Sequence, residues 1–144
     1  MPTRRPPGRR GSTGGGVISR AGMYASPDGR HTLSVTRTGS GIIHYSVTDA
    51  AGMSVASGGG FSAHQRWFFY WDSQNRLWTY NSDMGPFAVY TDSGSGVWLM
   101  TTVDASSPLL PSMPAAVRDH LPETEKQLLK LDRGPATRTT GFSN

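Results

Sequence analysis

The chain has 144 residues, no cysteine, 18 glycines, 10 prolines, 35% apolar and 17% charged residues; this length suits one core, and the lack of thiols excludes disulfides, cysteine-ligated zinc and thiol nucleophiles. The formal charge of +4 is unevenly placed: Arg4, Arg5, Arg9, Arg10 and Arg20 give +5 over residues 1–20, Arg133 and Arg138 add +2, and residues 21–132 hold seven basic residues against all ten acids, a net −3. A fold that grips nucleic acid usually carries its cations on the folded face, which is the opposite arrangement.

Residues 1–16 are rich in Arg, Pro and Gly and too polar to offset their ordering entropy, which predicts a disordered basic arm. No apolar run approaches the ~18 residues of a membrane span, so no transmembrane segment is expected. The start also lacks the apolar stretch of ~7–15 residues that defines a signal peptide. Cytoplasmic location is the default expectation, with export open if the true start lies upstream.

From Val17 short strands alternate with turn signals, and a single domain is expected over 17–131. Val17–Ala25 is a first strand, closed by Ser26-Pro27-Asp28-Gly29, where Pro presets φ, Asp bonds back to the backbone and Gly takes positive φ. His31–Arg37 alternates, with Leu33 and Val35 on one face. After Thr38-Gly39-Ser40-Gly41, Ile42–Thr48 puts Ile43, Tyr45 and Val47 on one face. Asp49-Ala50-Ala51-Gly52 turns the chain again, and Met53–Ser57 is a short strand that Gly58-Gly59-Gly60 ends or bulges.

Arg66–Tyr80 is the densest aromatic stretch, holding three of the four tryptophans. It reads as two strands around the turn Asp72-Ser73-Gln74-Asn75. Trp67, Phe69 and Trp71 alternate with Phe68 and Tyr70, so both faces are apolar. Such a strand is either covered on both sides or carries an exposed aromatic platform. Phe87–Thr91 and Val97–Thr102 form a last hairpin around Asp92-Ser93-Gly94-Ser95-Gly96. The turn aspartates Asp28, Asp49, Asp72 and Asp92 recur every 20 to 23 residues, as a meander with a turn about every ten residues would place them. An Asp-containing turn ahead of Leu77-Trp78 loosely resembles propeller blade sequences over about ten residues, and no family follows from it.

Beyond Asp104 prolines precede two helical segments, Ala115–Leu121 and Glu123–Leu131, broken at Pro122, with Ser112 as the expected N-cap. Val117, Leu121, Leu128 and Leu131 are expected to form the apolar stripe that docks on the sheet. Residues 132–144 again read as a disordered tail. The fold expected is all-β: an antiparallel up-and-down meander of about eight strands, as one curved sheet or small open barrel, with a C-terminal helical segment. The alternative is two propeller-like four-stranded blades.

Catalytic motifs are absent. Gly52-Met53-Ser54-Val55-Ala56 lacks the second glycine of a nucleophile elbow and lies in a strand. His31, His44, His64 and His120 have no metal-ligating spacing, the Asp92 loop lacks a downstream bidentate acid for calcium, and the glycine triplets lack the residues of a phosphate loop. No cofactor and no metal are expected. The function expected is therefore a non-catalytic binding or structural β-domain. Its candidate binding residues are Trp71, Asp72, Arg76, Trp78 and Asp83, the polar rim and rings of the aromatic hairpin, with a protein or glycan as ligand. One alternative is association with nucleic acid through the arginine arm alone. Another is a small hydrolase-like enzyme with a loop-borne site.

Overall fold

Alternating branched and polar residues build the first sheet. In the computed structural model, which describes residues 16–83 and 87–131, β1 (Gly22–Ala25), β2 (His31–Arg37), β3 (Ile42–Asp49) and β4 (Ser54–Ser62) pair antiparallel in sequence order. Leu33, Val35, Ile43 and Val47 point to one side and are buried, as the period of two requires. β4 runs on through the glycine triplet to Ser62 instead of stopping at Ser57. Its register slips between Ile43 and His44, where Ile43 faces Phe61 and His44 faces Gly59, so Gly60 is the extra residue of a bulge.

The second sheet is β5 (Trp67–Trp71), β6 (Leu77–Asn81), β7 (Ala88–Asp92) and β8 (Trp98–Thr102), again antiparallel in sequence order. The eight strands therefore form two four-stranded sheets and close no barrel. The all-β meander with two short C-terminal helices is as expected. The single curved sheet is not, and the partition into four and four is that of the second reading. The physical reason lies at β5. Its outer edge is taken by Ile18, whose N–H donates to the Phe69 carbonyl at 2.8 Å while the Phe69 N–H donates back at 2.9 Å. An edge so occupied cannot also pair with β4. The expected first strand is split accordingly: Ile18 bridges to β5, and β1 begins only at Gly22.

The chain divides into two compact units, one ending at Thr102 and one beginning at Val103. In the first, one core draws on both sheets: Leu33, Val35, Ile43, Val47, Val55 and Phe61 from one, and Phe69, Trp71, Leu77, Tyr90 and Trp98 from the other. The opposite side of the second sheet is buried as well. Phe68, Trp78, Tyr80 and Phe87 lie there as a run of neighbouring rings, 5.7 to 6.3 Å between centroids. The hairpin is thus apolar on both faces because both faces are covered.

The second unit holds a 3-10 turn (Leu110–Ser112) and the helices α1 (Ala115–His120) and α2 (Glu123–Leu128). Pro114 and Pro122 occupy the N-cap positions. Ser112 is not a cap; it closes the 3-10 turn, its Oγ donating to the Leu109 carbonyl at 2.9 Å. Val117, Leu121 and Leu129 are buried, whereas Leu128 is 70% exposed. The break at Pro122 restarts the helical phase, so the inward positions of α2 are those of Glu125 and Leu129, four apart, rather than that of Leu128. Residues 1–15 of the basic arm, with Arg4, Arg5, Arg9 and Arg10, and the tail 132–144 lie outside the described residues.

Candidate functional site

The turn aspartates do the same local job in the β1–β2, β3–β4, β5–β6 and β7–β8 hairpins, while Thr38 Oγ1 does it in the β2–β3 turn, accepting the Ile42 N–H at 3.1 Å. Asp49 Oδ1 accepts the N–H groups of Ala51 and Met53, each at 2.9 Å, and Asp72 Oδ1 accepts those of Gln74 at 2.8 Å and Arg76 at 3.0 Å. Asp28 Oδ1 accepts the Arg30 N–H at 2.9 Å, and Asp92 Oδ1 that of Gly94 at 2.8 Å. Each carboxylate replaces a backbone acceptor that the tight turn cannot supply. The fourth residue of three of these turns takes positive φ, Gly29 at 75°, Gly52 at 85° and Asn75 at 61°, which Gly and Asn tolerate best.

Asp72 goes further than its counterparts. It is 4% exposed, and its Oδ2 accepts Arg76 Nε at 2.7 Å and Trp78 Nε1 at 2.8 Å. The Arg76 guanidinium lies 5.5 Å from the Trp78 ring centroid. The structure therefore brings together three of the five candidate residues, Asp72, Arg76 and Trp78, as an internal brace of the hairpin. Trp71 stands apart, its Nε1 donating to the Tyr24 carbonyl at 3.0 Å. Trp71 and Trp78 are 2% and 0% exposed, and stacking on a ligand needs an open ring face. Asp83 lies at the other end of the hairpin, where its Oδ2 accepts the Ser62 N–H at 2.7 Å.

Strands that run up and down in order bring every second turn to one end of a sheet. The β1–β2, β5–β6 and β7–β8 turns meet there around a polar cleft of about 300 Å³, lined by Asp28, Arg30, His31, Gln74, Asn75, Arg76, Thr91, Asp92 and Trp98. Asn75 ties two of these turns together, its Oδ1 accepting the Asp28 N–H at 2.9 Å. His31 packs on Trp98 with ring centroids 4.7 Å apart. The Arg30 N–H and the Ser26 hydroxyl, the latter 2.7 Å from Oδ1, hold the Asp28 carboxyl below its ordinary range. The cleft thus offers anions, guanidinium groups, amides and an imidazole in one small volume, suited to a polar ligand that both donates and accepts hydrogen bonds.

Of the candidate residues only Arg76 lines the cleft. Sequence reasoning missed Arg30, His31, Asn75 and Trp98. The signal that could have found them was the recurrence of the turn aspartates, since a spacing of two strands returns the chain to the same end. Among the described residues no group of three or more His, Asp or Glu side chains is placed to hold a metal ion, and no helix is long and apolar enough to cross a membrane. Comparison with known proteins finds no matching family model, no similar curated protein and no similar solved structure.

Proposed function

We propose that this chain is a non-catalytic binding domain whose ligand, a small polar molecule or the polar tip of a larger one, seats in the cleft at the turn end of the two sheets. The observation that carries this is the convergence of three separate loops on one volume lined by Asp28, Arg30, His31, Asn75, Arg76 and Asp92. Loops held by Asx turns on paired strands are rigid, so the polar groups are pre-organised and little ordering entropy opposes binding. A sugar ring suits the mixture of donors and acceptors, and a polar peptide turn suits it as well.

Trp98 lines the cleft and reports on it. A panel of oligosaccharides and polar peptides is titrated while tryptophan fluorescence is followed. At least one member is expected to change the emission and saturate. Arg30→Ala, a change on the cleft wall, is expected to weaken that ligand roughly tenfold, and Arg37→Ala, at the far end of β2, to leave it unchanged. A panel without any response, or equal weakening by both variants, overturns the reading.

A further inference from the structure

The second unit contains a cavity of about 440 Å³, lined by Val103, Asp104, Ala105, Ser106, Glu125, Leu128 and Leu129. Its lining is mostly apolar, and Leu128 is left 70% exposed at it. Two carboxyl groups border it, and they differ. Asp104 already accepts from the Ser106 N–H at 2.9 Å and the Ser106 hydroxyl at 2.8 Å. Glu125 has no cation paired with it among the described residues, whereas Glu123 on the same helix holds Lys126 Nζ at 3.3 Å. One half-buried acid with no counter-charge among the described residues thus borders a mostly apolar groove. Burial pushes the Glu125 carboxyl above its ordinary range, as expected for an anion facing apolar surroundings with no cation to offset its desolvation.

The complement of that arrangement is a single compact cation on an apolar stem. A lysine side chain has four methylenes ending in an ammonium, and it habitually lays the stem along apolar surface with its charge at a polar edge. A guanidinium is less suited, because its planar fork carries five N–H donors, of which the Glu125 carboxylate engages two, and the rest would face a mostly apolar lining. We propose that this cavity binds a lysine side chain presented by a partner peptide, with the stem and a neighbouring apolar residue against Val103, Leu128 and Leu129 and the ammonium paired with Glu125. This site is separate from the polar cleft and does not depend on it.

The test is a titration of the isotopically labelled full chain with acetyl-Leu-Lys-Leu-amide, followed by amide and methyl NMR. Shift changes are expected to centre on Val103–Ser106 and Glu125–Leu129. The same peptide with an acetylated lysine ε-amine keeps the stem and loses the charge, and is expected to bind roughly tenfold more weakly. Glu125→Gln is expected to produce the same loss, while Glu123→Gln, next to the cavity but outside it, leaves binding unchanged. A native-like spectrum of Glu125→Gln away from the cavity separates lost binding from lost folding. Equal binding of the acetylated peptide, or retained binding in Glu125→Gln, overturns the proposal. So does a cavity silent to the peptide, whether empty or filled by the chain's own arginine segments. Shifts that grow with protein concentration alone assign the cavity to a second copy and overturn it too.

Discussion

Asp49 and Asp72 occupy the same position in the same kind of turn, and burial separates them. Asp49 binds two backbone N–H groups near solvent. Asp72 binds two backbone N–H groups and two side-chain donors while 4% exposed. Removing a buried acceptor leaves its donors desolvated and unpaired, which costs more than the bond itself contributed. Asp72→Ala is therefore expected to lower unfolding free energy by about 3–5 kcal/mol, and Asp49→Ala by about 1 kcal/mol. Urea denaturation of the two variants checks this, and equal losses would show that the brace to Arg76 and Trp78 adds nothing. Glu125 behaves in the opposite sense. Its carboxyl is raised by burial, so the fold favours the neutral form. The penalty is absent below the unfolded pKa, grows as pH rises from there, and is full above the folded pKa. Glu125→Gln cannot ionise. It is expected to match the parent at low pH and to exceed it at neutral pH by less than about 1 kcal/mol, since the group keeps much of its hydration. Thermal unfolding across the acid range reads the difference directly.

At the scale of elements, the glycines of β4 show how a strand can depend on having no side chain. A Cβ on Gly59 would sit 2.5 Å from the His44 Cα and 2.6 Å from the Ile43 carbonyl oxygen, at φ 128°. Those neighbours are backbone of the paired strand and cannot step aside. Gly52 also has positive φ, 85°, but a Cβ there meets nothing within 4 Å. Gly52→Ala is thus expected to cost about 1–2 kcal/mol from backbone strain alone. Gly59→Ala is expected to cost about 3 kcal/mol or more, because strain and clash add. Denaturation midpoints of the two variants decide it, and similar values would mean that the bulge yields. The same elements show what was legible in the sequence. His31–Arg37 and Ile42–Thr48 could be read off, because one buried face imposes a period of two. The continuation of β4 past Gly58 could not, since glycines carry no periodicity. Leu128 and Leu129 were equally apolar, and only the restart of the helix after Pro122 decided which of them is buried.

For the whole molecule, the described chain is a meander cut in two, and the cut was not written in any single residue. Eight strands and their order followed from turn chemistry, but which edges pair follows from Ile18 reaching Phe69 across a separation that no local pattern encodes. The polar cleft was hidden for the same reason: its residues come from three turns that only the up-and-down order gathers. What joins the two sheets of the first unit is mostly apolar, with polar ties at the margins from Trp71 to the Tyr24 carbonyl, Asn75 to Asp28 and Asp83 to Ser62, and one between facing strand side chains. The Tyr45 and Tyr90 hydroxyls meet at 2.8 Å across the shared core. Burial pushes the Tyr45 hydroxyl well above its ordinary range and the bond to Tyr90 adds to this, and one of the two hydroxyls donates to the other. Removing one hydroxyl strands the other in apolar surroundings, whereas removing both leaves two phenylalanines that pack without loss. Tyr45→Phe and Tyr90→Phe are each expected to cost about 1–2 kcal/mol, and the double variant no more than either single one, a coupling of about 1 kcal/mol or more. Additive losses would show that the two hydroxyls are satisfied separately and that their bond does not couple the sheets.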